Sequence, residues 1–322
     1  MTSTAHSSSN TAANIAALCQ ACVVGDVAQI TTLLTTDSGI VNATDVEGFS
    51  PLLLATSYNM TAAVSALISS KATVNQFDLS GKCSPLFLAA QCGHVEITQM
   101  LLKARASPNT ALDHVSPLIL ACKKGHLEVV ECLIEARGSV NFTTQDNMTA
   151  LYTASREGFD DVVAILLSHG ATKSMELDCD SYTPLLIAAY YGHTNVVREL
   201  INHGCRIDAA DSAGCTSLHL ASSGGHLNVV EEILGEETVS AARNGDFERA
   251  AALSKTLHCD LNRRQRDGAT PFFLAAQEAY LDCMQLLVDC GADVRLRFIC
   301  WCNDERCALK MLTKETSALM LR

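Results

Sequence analysis

The chain has 322 residues, 48% of them hydrophobic, 18% charged and 5% aromatic, with a net charge of −12 and a pI near 5.2. So apolar a composition excludes wholesale disorder, and so acidic a balance argues against nucleic-acid binding, which draws most of its affinity from neutralised phosphates. No run approaches the roughly 20 apolar residues that span a bilayer, so no membrane insertion is expected.

Residues 1–13 are rich in Ser and Thr and carry neither a basic nor an apolar leader-like region. They are expected to be disordered. From residue 14 a short pattern recurs: Pro-Leu, an apolar residue, Leu or Ile, Ala, and a Gly-His pair soon after. It reads PLLLATSYNM at 51–60, PLFLAAQCGH at 85–94, PLILACKKGH at 117–126 and ALYTASREGF at 150–159. It continues as PLLIAAYYGH at 184–193, SLHLASSGGH at 217–226 and PFFLAAQEAY at 271–280. Successive copies start 34, 32, 33, 34, 33 and 54 residues apart. A further copy around Gly25-Asp26 precedes them in phase. The long last step reads as hiding a shortened copy, AARNGDFERAAAL at 241–253, without its own opening. The pattern breaks after Val294. RFICWCNDERC reads as an insertion and TSALMLR at 316–322 as the opening of another unit, either trimmed or continued in a longer product.

The residues of one unit dictate two helices. Thr183 is placed to cap the first, with Pro184 in the first turn, where a missing N–H costs nothing. Leu185, Ala188 and Ala189 share a face small enough for close approach. Gly192 suits a left-handed C-cap. Val196, Val197, Leu200 and Ile201 form the stripe of a second amphipathic helix, which Gly204 ends. One such unit cannot bury its apolar face alone, so each needs neighbours.

A period near 33 with a Thr-Pro-Leu-His-type opening resembles the ankyrin repeat, over roughly residues 14 to 296. The resemblance implies an all-α solenoid of about eight helix-turn-helix units with hairpin loops at one edge, a shortened unit near 236–266, and an irregular Cys-containing tail over 297–322. It further implies a scaffold or adaptor that holds a partner protein in the concave groove of first helices and at the loop tips. No cofactor and no enzymatic activity are expected. The positions just before the first-helix glycine vary freely while the framework repeats. They are Ser57-Tyr58, Gln91-Cys92, Lys123-Lys124, Arg156-Glu157, Tyr190-Tyr191, Ser223-Gly224 and Gln277-Glu278. Tyr58, Gln91, Lys123, Lys124, Arg156, Glu157, Tyr190 and Tyr191 are the partner-binding candidates, since Tyr and Arg most often anchor interfaces. Phe49 and Tyr182 join them as aromatic loop tips, beside Glu47, Lys82, His114, Asn147 and Arg266.

Other constellations have plainer readings. His94, His126, His193 and His226 recur with the repeat and are expected to bond locally; His219 is expected to bond the opening of its own turn. Cys290, Cys300, Cys302 and Cys307 fall within 18 residues, but C-x-C and C-x4-C are not the usual zinc spacing, and reduced thiols are the expectation. Fifteen cysteines in a long chain fit small buried hydrophobes of a reducing compartment, so the expected site is the cytoplasm, with the nucleus as an alternative. The densest basic stretch is Arg263, Arg264 and Arg266, flanked by Asp260 and Asp267. Asp160-Asp161 and Glu231-Glu232 read as solvated helix surface. The chain is expected to be a monomer.

Three other functional readings remain open, one of them a metal-dependent protein using the terminal cysteines. A substrate-recognition subunit of a ubiquitin ligase would need a further helical segment of SOCS-box or F-box kind, which is not readable in 297–322. A methyl-lysine peptide reader built on Tyr190, Tyr191 and a carboxylate would need a third aromatic side chain.

Overall fold

A computed structural model describes residues 3–112, 114–172, 183–257 and 259–295. Two compact units, Met1–Ala150 and Leu151–Arg322, divide the chain.

The first unit holds α1 (Ser3–Val24), α2 (Val27–Thr36), α3 (Pro51–Ser57), α4 (Thr61–Ser69), α5 (Pro85–Cys92), α6 (Val95–Lys103), α7 (Pro117–Lys124) and α8 (Leu127–Glu135). Each short first helix starts where a hydroxyl meets a proline. Ser50, Ser84 and Ser116 each accept the amide N–H three residues on, at 3.3 Å, while the proline occupies the first turn. First helices pack on first helices, α1 on α3, α3 on α5 and α5 on α7, and second helices likewise pack α2 on α4, α4 on α6 and α6 on α8. The buried layer is what the sequence pattern demands: Leu86, Ala89 and Ala90, then Ile97 and Leu101, with equivalents in each repeat. Each fully buried Leu or Ile contributes about 2 kcal/mol of transfer free energy.

Helix α1 runs back to Ser3, through the segment expected to be disordered. Ala5, Ala12, Ala13, Ala16 and Ala17 favour helix, and neither Gly nor Pro interrupts before Gly25.

Side chains tie neighbouring repeats together at the loop edge. Asn42, Asn75 and Asn109 accept the backbone N–H of Thr73, Ser107 and Ser139 at 2.7, 2.9 and 2.6 Å. The loop tips turn on an acidic side chain and a residue with positive φ. Asp45 Oδ1 accepts from the N–H of Glu47 and Phe49, and Gly48 sits at φ 91°. Where a tip lacks glycine, His114 and Asn147 take the left-handed conformation. Among the described residues the loops carry two isolated antiparallel bridges, Leu112 with Val115 and Ala210 with Thr216, and no strand.

The second unit holds α9 (Ala150–Glu157), α10 (Asp160–Ser168), α11 (Pro184–Tyr191), α12 (Thr194–Asn202), α13 (Ser217–Ser223), α14 (Leu227–Leu234), α15 (Glu236–Arg243), α16 (Phe247–Thr256), α17 (Pro271–Gln277) and α18 (Leu281–Asp289). Here the sequence reading needs correction. Helices α15 and α16 are not a shortened layer of the stack. Helix α13 packs directly on α17, as α11 packs on α13, while α15 and α16 pack on each other and lean on α14 and α18. Gly235 alone separates α14 from α15, so no hairpin loop precedes the pair. The segment Glu236–Thr256 spans 21 residues, and 54 minus 21 restores the 33-residue period. Thus Cys259 is equivalent to Cys205, both buried, and Thr270 to Thr216, both buried helix caps. The 21 residues are a helical hairpin inserted between two adjacent repeats.

Candidate functional site

The positions before the first-helix glycine fall on the last turn, or at the C-cap, of a helix of seven or eight residues. The residues just before them, such as Ala89-Ala90 and Ala188-Ala189, are fully or nearly fully buried, so the next two are turned outward. In the first unit Tyr58, Gln91, Cys92, Lys123 and Lys124 are all exposed. In the second, Arg156, Glu157, Tyr190, Tyr191, Ser223, Gln277 and Glu278 are exposed.

Three of the four recurring histidines tie some of these positions to the next repeat. The expectation of a purely local bond is corrected for His126, His193 and His226, whose rings reach back one repeat, whereas His94 Nε2 is buried without a hydrogen-bond partner among the described residues. His126 Nε2 lies 3.1 Å from the carbonyl oxygen of Gln91, His193 Nε2 lies 2.9 Å from that of Arg156, and His226 Nε2 lies 3.0 Å from that of Tyr190. A carbonyl only accepts, so Nε2 carries the proton in each. The ring also explains the glycine before it. A Cβ on Gly93, Gly158 or Gly192 would stand within 2.7 Å of His126, His193 or His226, and all three glycines have left-handed φ. Gly and His are one device shared by two repeats, and its bond ends on the candidate binding positions. His219 serves its own turn, as expected, with Nδ1 at 2.8 Å from Thr216 Oγ1. Its Nε2 also donates to the carbonyl of Arg263, at 2.9 Å.

In the second unit these positions gather into a cluster. The rings of Tyr190 and Tyr191 meet edge to face at 5.1 Å, and Tyr191 stacks on His193 at 6.1 Å. The Arg156 side chain hydrogen-bonds Tyr191, which holds its guanidinium firmly in the charged form. Tyr152, four residues before Arg156 on α9, completes the group. Burial pushes its phenol up, with Arg156 opposing and Tyr191 adding. Sequence reasoning missed Tyr152, although its i, i+4 spacing from Arg156 was a signal. Tyr190 and Tyr191 keep 51% and 45% of their surface open. The cluster offers aromatic faces, hydroxyls and one cation.

Other predicted residues stand apart. Phe49 is half-buried, and its backbone N–H bonds Asp45 at 2.8 Å in the loop turn. Tyr182 lies outside the described residues, as do Cys300, Cys302 and Cys307; Cys290 is buried. Glu231 and Glu232 are ion-paired with Arg243 and Arg198. No group of three His, Cys, Asp or Glu side chains fit to hold a metal occurs among the described residues. Thiols are pushed up by burial, Cys19 to about 11 and Cys22 to about 12, and behave as small hydrophobes. Among the described residues no helix is long and apolar enough to cross a membrane.

The ankyrin-repeat profile of three copies matches residues 18–111, 86–176 and 172–240, and the single-repeat profile matches 267–297. The gap between 240 and 267 contains most of the inserted hairpin. Among curated proteins, the chain is 30% identical over 151 residues to the E3 ubiquitin-protein ligase XBAT33 of Arabidopsis thaliana, covering 45% of this chain and 29% of that protein. It is 28% identical over 165 residues to the probable E3 ubiquitin-protein ligase XBOS33 of Oryza sativa subsp. japonica, covering 45% and 32%. The chain therefore spans about a third of the length of these relatives. Among solved structures, the human ASB11 ankyrin repeat domain matches with a TM-score of 0.59 at 27% identity, over 67% of this chain and 96% of that one. The expectation of no enzymatic role is overturned by these relatives, which are named as ligases, an enzyme class, although the likeness lies in the repeat region at about 30% identity. With profiles matching well over half of its length, the chain belongs to the ankyrin repeat family, whose repeats serve protein–protein interaction.

Proposed function

We propose that the chain is the partner-recognition part of a ubiquitin-ligase system, holding a protein by the ends of its first helices. The observation that carries the reading is the cluster of Arg156, Tyr190 and Tyr191, exposed yet fixed through the backbone by His193 and His226. A preformed surface loses little conformational entropy on binding, and Tyr and Arg supply most interface anchors. Lys123, Lys124, Tyr58 and Gln91 offer the same positions in the first unit. The ligase context rests on the names of the relatives. A monomer acting in the cytoplasm, without nucleic acid, is the setting we assign.

Tyr152 supplies the third aromatic that a methyl-lysine reader would need, but Arg156 stands in the same cluster and repels a cationic ligand. A neutral or acidic partner side chain fits better.

The test uses the full chain as bait in native lysate, beside a variant with Lys124, Arg156 and Tyr191 changed to Ala, with ubiquitin, E1, E2 and ATP then added to the captured material. The expected result is a captured protein that is ubiquitylated with the wild type and absent with the variant. Capture unchanged by the variant overturns the binding surface, and capture without ubiquitylation overturns the ligase context alone.

A further inference from the structure

The inserted hairpin has a consequence at the loop edge. Because α15 and α16 stand outside the row, the loop after them folds back onto the loop before them. The Arg266 N–H donates to the carbonyl of Ala213 at 2.8 Å, and Arg263 Nη1 donates to the carbonyl of Asp208 at 3.0 Å. The His219 bond to Arg263 fixes the same contact from beneath. Residues more than fifty positions apart thereby line one open cleft of about 910 Å3.

Its charge is opposite to that of the molecule. Four arginines line it, Arg206, Arg263, Arg264 and Arg266, against two aspartates, Asp208 and Asp211, in a chain of net charge −12. Both aspartates are engaged. Asp208 is held by Arg206 at 3.0 Å, and Asp211 Oδ1 accepts the N–H of Ala213 and Cys215. The flanking Asp260 and Asp267 accept backbone N–H groups of Asn262 and Ala269. Arg264 and Arg266 are exposed and have no carboxylate partner among the described residues.

We propose that this cleft docks an acidic peptide segment of a partner protein, with Arg264 and Arg266 as its carboxylate anchors. The guanidinium fork matches a carboxylate in plane and charge. The walls are held by backbone hydrogen bonds, so the arginines are displayed on a fixed frame. A nucleic acid fits less well, since two aspartates stand in the walls and the surrounding field is negative. The site lies at the loop edge and is separate from the tyrosine cluster, so either can fail without the other.

The test is fluorescence anisotropy of a labelled, glutamate-rich peptide with the full chain. The wild type is expected to bind, more weakly as salt rises. The double variant R264Q/R266Q, checked for unchanged circular dichroism, is expected to bind at least about tenfold more weakly, while K103Q/R105Q, which removes the same charge from exposed positions of the first unit, binds like the wild type. The proposal is overturned if the wild type fails to bind, if the double variant binds equally well, or if single-stranded DNA of matching charge binds more tightly than the peptide.

Discussion

At the residue scale, the Gly-His pairs separate backbone conformation from inter-repeat packing. Gly192 and Gly204 have nearly the same φ, 78° and 76°, but a Cβ on Gly192 meets His226 at 2.6 Å while one on Gly204 meets nothing within 4 Å. Gly204→Ala is expected to cost only the left-handed strain, roughly 1–2 kcal/mol. Gly192→Ala should cost roughly 1–2 kcal/mol more, because it also displaces the His226 ring from the Tyr190 carbonyl. Urea denaturation of the two variants checks this, and equal losses would remove the histidine from the account. His219 gives a second prediction. Burial holds its folded-state pKa below the ordinary value of about 6.5. As pH falls through that value the unfolded chain takes up a proton that the folded chain refuses. Stability is therefore full above about pH 6.5 and declines below it, toward the lower folded-state pKa. His219→Gln should flatten that acid-side slope in denaturation at stepped pH. The caps, the left-handed glycine turns and the Thr216 bond of His219 were legible in the sequence because each is local, whereas the His219 bond to Arg263 was not. The back-reach of His126, His193 and His226 was not, because their partners lie 35 to 37 positions away.

At the element scale, the 54-residue step reads in the sequence as hiding one more, shortened layer, because the local pattern there is that of a repeat. Gly245 with Asp246 between two helices resembles a repeat's own break, and Asp246 does cap α16, accepting from the Arg249 N–H at 3.2 Å. What decides is long-range: Gly225 leaves room for Tyr280, whose ring a Cβ there would meet at 2.5 Å, just as Gly192 leaves room for His226. Tyr280 thus fills in α18's repeat the slot that histidine fills elsewhere, directly after the repeat of α13. Since the stack already closes without the hairpin, a variant lacking residues 236–256 restores the 33-residue register. It is expected to remain folded, with helical signal reduced in proportion and a cooperative thermal transition. The loss of Val239, Ala241 and Ala242, buried in the intact chain, should still lower its Tm by a few degrees. Collapse of the cooperative transition would show that the pair is a structural layer after all.

At the scale of the whole molecule, composition and period determine most of the architecture, since a repeat that buries its face only against its neighbours must stack. The binding positions were legible for a related reason: within one chain the framework repeats while Lys123, Arg156 and Tyr190 do not. What the sequence could not carry is which of them meet. Arg156, Tyr190, Tyr191 and Tyr152 come together through α9 and α11, whereas Phe49 is half-buried at its own loop turn. The central claim is that a partner protein is held at these first-helix ends and not on the outer second helices. The most direct measurement places a photo-crosslinking amino acid at Tyr190 in one variant and at exposed Asp161, on α10, in another, followed by irradiation in lysate. The account predicts a discrete crosslinked partner from position 190 and none from position 161. Crosslinking of the same partner from position 161 alone, or equally from both, would contradict it.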